Sequence, residues 1–161
     1  MEITPYQIAH NFIGVREIPG IVSNPLIVAM GHIDNKWITD DDVAWCSSFV
    51  NFVCFCLGIQ RTKSARARSW LKVGAPVLIK DATVGWDIVI IKRGQGQQPG
   101  PEVMNAPGHV GFYAGHTQDK ITLLAGNQGN QVSLASFPID SILGIRRLSD
   151  KLVDCEYGAS A

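Results

Sequence analysis

The chain has little charge and no excess of either sign: 17% of its 161 residues are charged, 14 basic against 14 acidic. So balanced a chain has no global field to draw it to nucleic acid or to an anionic membrane, and any recognition has to be local. It also lacks any apolar run near the roughly 18 residues that a membrane-spanning helix needs, which excludes helical insertion. Its opening residues, MEITPYQIAHNFIG, show neither the basic start nor the apolar stretch of a signal peptide, so synthesis in a cytoplasm is expected. Cysteine pairs at metal-binding spacing are missing. Cys54 and Cys56, two apart in a helical pattern, can neither bond to each other nor form a zinc pair of the CxxC kind, and are expected to be packing residues. There is no D-x-D-x-D-G calcium loop, and GQGQQPG lacks the GxGxxG spacing of a phosphate cradle. No metal and no cofactor are expected. No internal repeat is present, and the length suits one domain over residues 1–161, with 149–161 as a C-terminal tail.

What is present is a change of period partway along. Thr4 as N-cap, Pro5 at the first helical position and the stripe Ile8, Phe12, Ile13 predict a first helix ending at Gly14. A short helix is expected around Pro25 to Met30. A third, stronger one is marked by Val43, Cys46, Phe49, Val50, Val53, Cys54 and Leu57 before Gly58. That segment is apolar nearly all round and should be central. TKSARARSWLKVG reads as a further helix, its basic residues Arg61, Lys63, Arg66, Arg68 and Lys72 making a solvated face or one that attracts an anionic polymer. From there the pattern turns strand-like: WDIVIIKR, HVGFYAG, ITLLAGN, QVSLASF and ILGIRRL, with turn chemistry between them. Helices followed by about five close-spaced strands predict an α+β domain with an antiparallel sheet. Residues 93 to 108, rich in Gly and Pro, read as a long mobile loop leading into His109.

Cys46 is the first candidate for chemistry. Asp40, Asp41 or Asp42 can cap its helix, leaving the cysteine in the first turn, where free N–H groups and the helix dipole favour a thiolate. Cysteine pKa values at such places fall from ~8.5 to about 3.5–7.5. The alternative is a buried thiol in an apolar helix. A thiolate nucleophile needs a base and a group to orient that base. His109 opens a strand between Gly108 and Gly111, which leave room beside an imidazole; His116, in HTQDK, reads as exposed turn chemistry. If HVGFYAG and ITLLAGN form a hairpin centred near Gln118, Tyr113 faces Leu123 and His109 faces Asn127, within reach of an amide–imidazole hydrogen bond. A slip of one residue brings Gly126 or Gln128 there instead.

The blocks DDVAWCSSFVNFV, GWDIVII, PGHVGFYAG and LLAGNQGNQVSL, with ARSWLKVG and REIPGIVSNPLI, resemble the CHAP and NlpC-type papain-like cysteine amidases and peptidases, above all the phage- and prophage-associated cell-wall hydrolases. The resemblance covers most of residues 12 to 148; Ala125 stands where that group commonly has glycine. It implies a papain-like fold, Cys46 as nucleophile, His109 as base and Asn127 as the residue orienting the ring. The implied function is hydrolysis of an amide bond in peptidoglycan, either as an N-acetylmuramoyl-L-alanine amidase or as a stem-peptide endopeptidase. Trp45 and Gln128 are expected to touch substrate, and Trp70 and Trp86 either to stack on it or to pack in the core. A monomer acting on the cell wall after release is expected, helped by a holin or an injection machine. The alternatives are a secreted antibacterial effector with a cognate immunity protein, or a non-catalytic wall-binding or virion module.

Overall fold

A computed structural model describes residues 2–149; most of the expected tail, with Cys155, lies outside the described residues. Three α-helices come first: α1 Pro5–His10, α2 Pro25–His32 and α3 Cys46–Leu57. Thr4 and Gln7 close a reciprocal capping box at α1, and Asn24 caps α2 in front of Pro25. Gly58 ends α3 in the left-handed conformation that glycine adopts without strain. Among the described residues no helix is long and apolar enough to cross a membrane.

Six strands follow: β1 Ala75–Val77, β2 Asp87–Lys92, β3 Gly108–His116, β4 Lys120–Ala125, β5 Ser133–Pro138 and β6 Ile142–Arg147. They form one antiparallel sheet in the order β1-β6-β2-β3-β4-β5. The architecture is α+β, with five strands where the sequence places them and a sixth, three-residue edge strand, β1, that it hides. ARSWLK is a 3-10 helix, Ala67–Lys72, rather than an α-helix. Ala67 and Trp70, three apart, both turn inward, as three residues per turn require, and the Ser69 hydroxyl donates to the Arg66 carbonyl at 2.6 Å.

The main core lies between the helices and one face of the sheet, where Cys46, Phe49, Val50 and Val53 of α3 meet Val110 and Phe112 of β3 with Ile88 and Ile90 of β2. Phe49 and Phe112 touch edge to face at 6.2 Å. The other face carries a second cluster of Val89, Ile91, Tyr113, Ile121, Leu123 and Ile145, covered by Val77, Ile79, Phe137 and Ile142 from the sheet's own flanks. Buried on both faces, β2 reads in sequence as an unbroken apolar run. Its first residue, Asp87, is buried and takes both arms of the Arg147 guanidinium at 2.7 and 2.8 Å, joining β2 to β6.

Two expectations fail. Cys56 is exposed, so only Cys54 of that pair packs in the core, its thiol pushed by burial up to about 12. The loop over residues 93–107 is pinned: Arg68, expected on a solvated face, is wholly buried. Its guanidinium donates to the carbonyls of Pro107 (2.9 Å), Gly100 (2.6 Å), Val103 (3.0 Å) and Pro99 (3.1 Å). Among the described residues it forms no ion pair; four carbonyl dipoles compensate the charge.

Candidate active site around Cys46 and His109

Cys46 opens α3, but no acid caps that helix. Trp45 is the N-cap and makes no side-chain capping bond. Asp41 is instead buried and accepts from the N–H groups of Asn24 (2.7 Å) and Ile18 (3.1 Å). Burial pushes its carboxyl pKa up, yet these bonds and the Ser23 hydroxyl outweigh that and hold it below the ordinary range. Asp42 donates its N–H to the Asp40 carboxylate. Asp41 thus ties the chain before α3 to residues 18–24, and none of the three acids occupies the helix terminus, which is left to the thiol.

The sulfur sits in the core, 2% exposed, facing the backbone N–H of Val110 and those of Ser47 and Cys46 itself. Burial is the largest influence and raises the thiol pKa above its ordinary value; the Val110 N–H, the Arg93 guanidinium and the helix-terminal N–H groups pull against it without prevailing. The expected depression therefore does not appear. A helix terminus contributes about 0.3–2 kcal/mol to an anion, less than the several kcal/mol that desolvating a charge costs.

His109 is the second residue of β3, one before Val110. Alternation sends its ring to the opposite face from Val110, where it rests against Phe137, centroids 5.7 Å apart. Its Nε2 lies 3.0 Å from Gln128 Oε1. The other end of that amide settles its orientation: Gln128 Nε2 donates to the Ser133 carbonyl at 2.6 Å and toward that of Leu123 at 3.4 Å. Oε1 is then the acceptor, so the imidazole proton is on Nε2 and the lone pair is on Nδ1. Burial lowers the His109 pKa to about 4, Arg93 adding to the effect and the Gln128 bond opposing it, so the ring is neutral at neutral pH. Among the described residues no hydrogen bond joins the ring to the Cys46 sulfur. They open on adjoining cavities of about 410 Å³ (His109) and about 440 Å³ (Cys46) that share Arg93 in their walls.

Of the expected site residues, His109 and Gln128 are brought into direct contact, and Cys46 to the strand N–H beside His109. Asn127 does not face the ring through paired strands. β3 and β4 pair Phe112 with Leu124 and Tyr113 with Leu123, as expected, but a bulge between Tyr113 and Gly115 shifts the pairs nearer the turn by one residue, and toward His109 the pairing stops at Leu124. Asn127 lies in the left-handed region (φ 58°), and Gly129 and Asn130 follow it there. That turn, braced by Gln128 N–H to the Gln131 carbonyl and Ser133 Oγ to the Gln128 carbonyl, swings Gln128 back under the ring. Asn127 stays in the wall of the His109 cavity. Trp45 is buried, and its indole N–H donates to Glu17 at 2.7 Å, so it braces α3 rather than lining an open groove. Trp70 is buried and donates to Ser47 Oγ; Trp86 packs partly buried against the core. Arg93, exposed at the end of β2, was not singled out in the sequence. Its signal is a cation closing WDIVIIKR immediately before the glycine-rich segment.

No protein-family model matches the chain, and no curated protein matches it. Among solved structures it is similar to NlpC1 from Trichomonas vaginalis, at 14% identity and a TM-score of 0.46. The match covers 89% of this chain and 42% of that one, so the chain spans less than half of that neighbour's length.

Proposed function

We propose that the chain is a papain-like cysteine hydrolase that cleaves an amide bond of bacterial cell-wall peptidoglycan. The observation that carries this reading is a neutral imidazole whose Nε2–H is held by Gln128 and whose Nδ1 has no hydrogen bond among the described residues, one residue from the strand N–H that meets a helix-terminal thiol. In this reading Gln128 takes the orienting role that the resemblance assigns to Asn127. Nδ1 accepts the thiol proton as substrate arrives, the sulfur attacks the amide carbonyl, and the same proton goes to the leaving amine; water then clears the acyl-enzyme. The step requires ring and sulfur, which lie toward opposite faces at the start of β3, to meet around that strand end, and catalytic contacts that are long without substrate often tighten when it is bound. The N–H groups of Val110, Ser47 and Cys46 and the charge of Arg93 hold the negative charge that the sulfur gains, which is differential stabilisation of the reacting state. The substrate class is taken from the resemblance of the motif blocks to those of phage-type wall hydrolases, and access to the wall through a holin or injection machine belongs to the same reading.

Digestion of purified peptidoglycan by the wild type, Cys46→Ala and His109→Ala, with mass spectrometry of the fragments, tests it. Release by the wild type alone is expected. Free lactyl groups then identify an amidase, and cut stem peptides an endopeptidase. Equal release by Cys46→Ala removes the thiol from the chemistry, and no release by the wild type removes the hydrolase.

A further inference from the structure

Three depressions join along one side of the molecule. The Cys46 cavity shares Arg93 with the His109 cavity, and shares Arg66 and Asn105 with a third, of about 420 Å³, that Lys72 helps to line. Four cations, Lys72, Arg66, Arg93 and Lys92, line the groove so formed, and no carboxylate does. Composition does not explain this, because acids and bases are equal in number. Acids, Glu17 and Asp42, line a further depression that meets the far end of the His109 cavity at Gly129, away from the four cations. Nor are the four cations engaged within the protein: the ion pairs among the described residues are Arg61–Asp34 and Arg147–Asp87. Concave, single-signed lining concentrates its field on what enters. Arg93 stands at the junction, bearing on both sulfur and ring.

We propose that this groove reads carboxylates: Arg93 forks onto a free carboxylate on the residue adjoining the amide presented to Cys46, and Arg66 and Lys72 hold further carboxylates of the same acidic peptide. The proposal rests on the hydrolase reading for which amide is presented, and adds the substrate feature selected. An arginine suits the junction because its planar fork matches a carboxylate in two parallel hydrogen bonds, which a carboxamide cannot accept in the same way.

The test takes two soluble stem peptides of the cell wall that differ only beside the candidate amide, a free carboxylate in one and a carboxamide in the other. Calorimetric binding to the full chain carrying Cys46→Ala is expected to favour the acid by about ten- to a hundredfold, the range of a charge-assisted hydrogen bond. Adding Arg93→Gln brings that ratio close to one, and Arg93→Lys keeps part of it. Arg93 is exposed, so neither substitution removes packing. Equal or absent binding of the two peptides, or a preference that survives Arg93→Gln, overturns the groove reading whatever the turnover. Cleavage by the wild type is scored separately: acid-selective binding with no cleavage of either peptide leaves the carboxylate site standing and removes the hydrolase.

Discussion

One amide governs the His109 ring. Gln128→Ala removes the acceptor that keeps the proton on Nε2, and turnover is expected to fall on the order of a hundredfold, the cost of misplacing a reacting group by about an ångström. Asn127→Gly, which keeps the left-handed backbone, should change turnover several-fold at most. Steady-state rates for the two variants decide which residue orients the ring. Simple alternation along β4 favours Asn127, and the pairing it assumes holds as far as Leu124. What a one-letter string does not carry is the backbone dihedral that breaks alternation at Asn127; the run GNQGN signals a turn without saying which side chain returns. Burial of His109 has its own consequence. Its folded pKa, about 4, lies below the ordinary 6.5. The unfolded chain therefore takes up a proton that the folded chain refuses between those values. Its stability contribution is complete above pH 6.5 and is lost as pH falls toward 4, by roughly 3 kcal/mol at the limit. Urea unfolding of wild type and His109→Asn at neutral and mildly acid pH should show this loss in the wild type alone. A buried, protonated thiol is also slow to alkylate. At neutral pH iodoacetamide should label exposed Cys56 well before Cys46, as read by peptide mass mapping.

Among the elements, the 3-10 helix Ala67–Lys72 matters beyond its length, because it delivers Arg68 to four carbonyls of the segment before β3. Arg68→Ala empties a wholly buried side-chain site and strips four part-buried carbonyls of their donor, which should cost about 3–5 kcal/mol, with new proteolytic nicks between Gly94 and Pro107. Arg68→Lys, with three donors and no fork, should fall between. Thermal melts and limited proteolysis measure both. Periodicity locates α3 well, since a helix with one broad buried face repeats its apolar residues at three and four, while Phe55 and Cys56 lie outside that face. It misplaces Arg68 because the partners are backbone carbonyls of an irregular segment, which no residue pattern announces. Close approach is equally hidden. A Cβ on Gly126 would come within 2.5 Å of the Trp45 ring, so α3 rests on that backbone as well as on side chains.

For the whole molecule, order along the chain made the class legible: α-helices first, strands after, and among the described residues no α-helix between strands. β1 was not, being three residues long with Pro76 at its centre. The neutral chain with a cationic groove predicts that salt acts on recognition more than on stability. With acidic peptide substrate, KM should rise several-fold between about 0.01 and 0.15 M salt, as the screening length shrinks from about 30 to 8 Å, while Tm barely moves. Unequal responses of KM and Tm to salt, measured on one preparation, check this. The strand order also sets a timetable. β2 holds β3 on one edge and β6 on the other, and β6 alone holds β1. The helix bearing the sulfur is complete at residue 57, but the inner strand behind the imidazole stays open on one side until Ile142–Arg147 has been made. Such distant pairings close late and slowly, in milliseconds to seconds. On a ribosome adding about 5–20 residues each second, the nascent chain holds its thiol for several seconds before the sheet opposite can close, which it does only once Arg147 has been made.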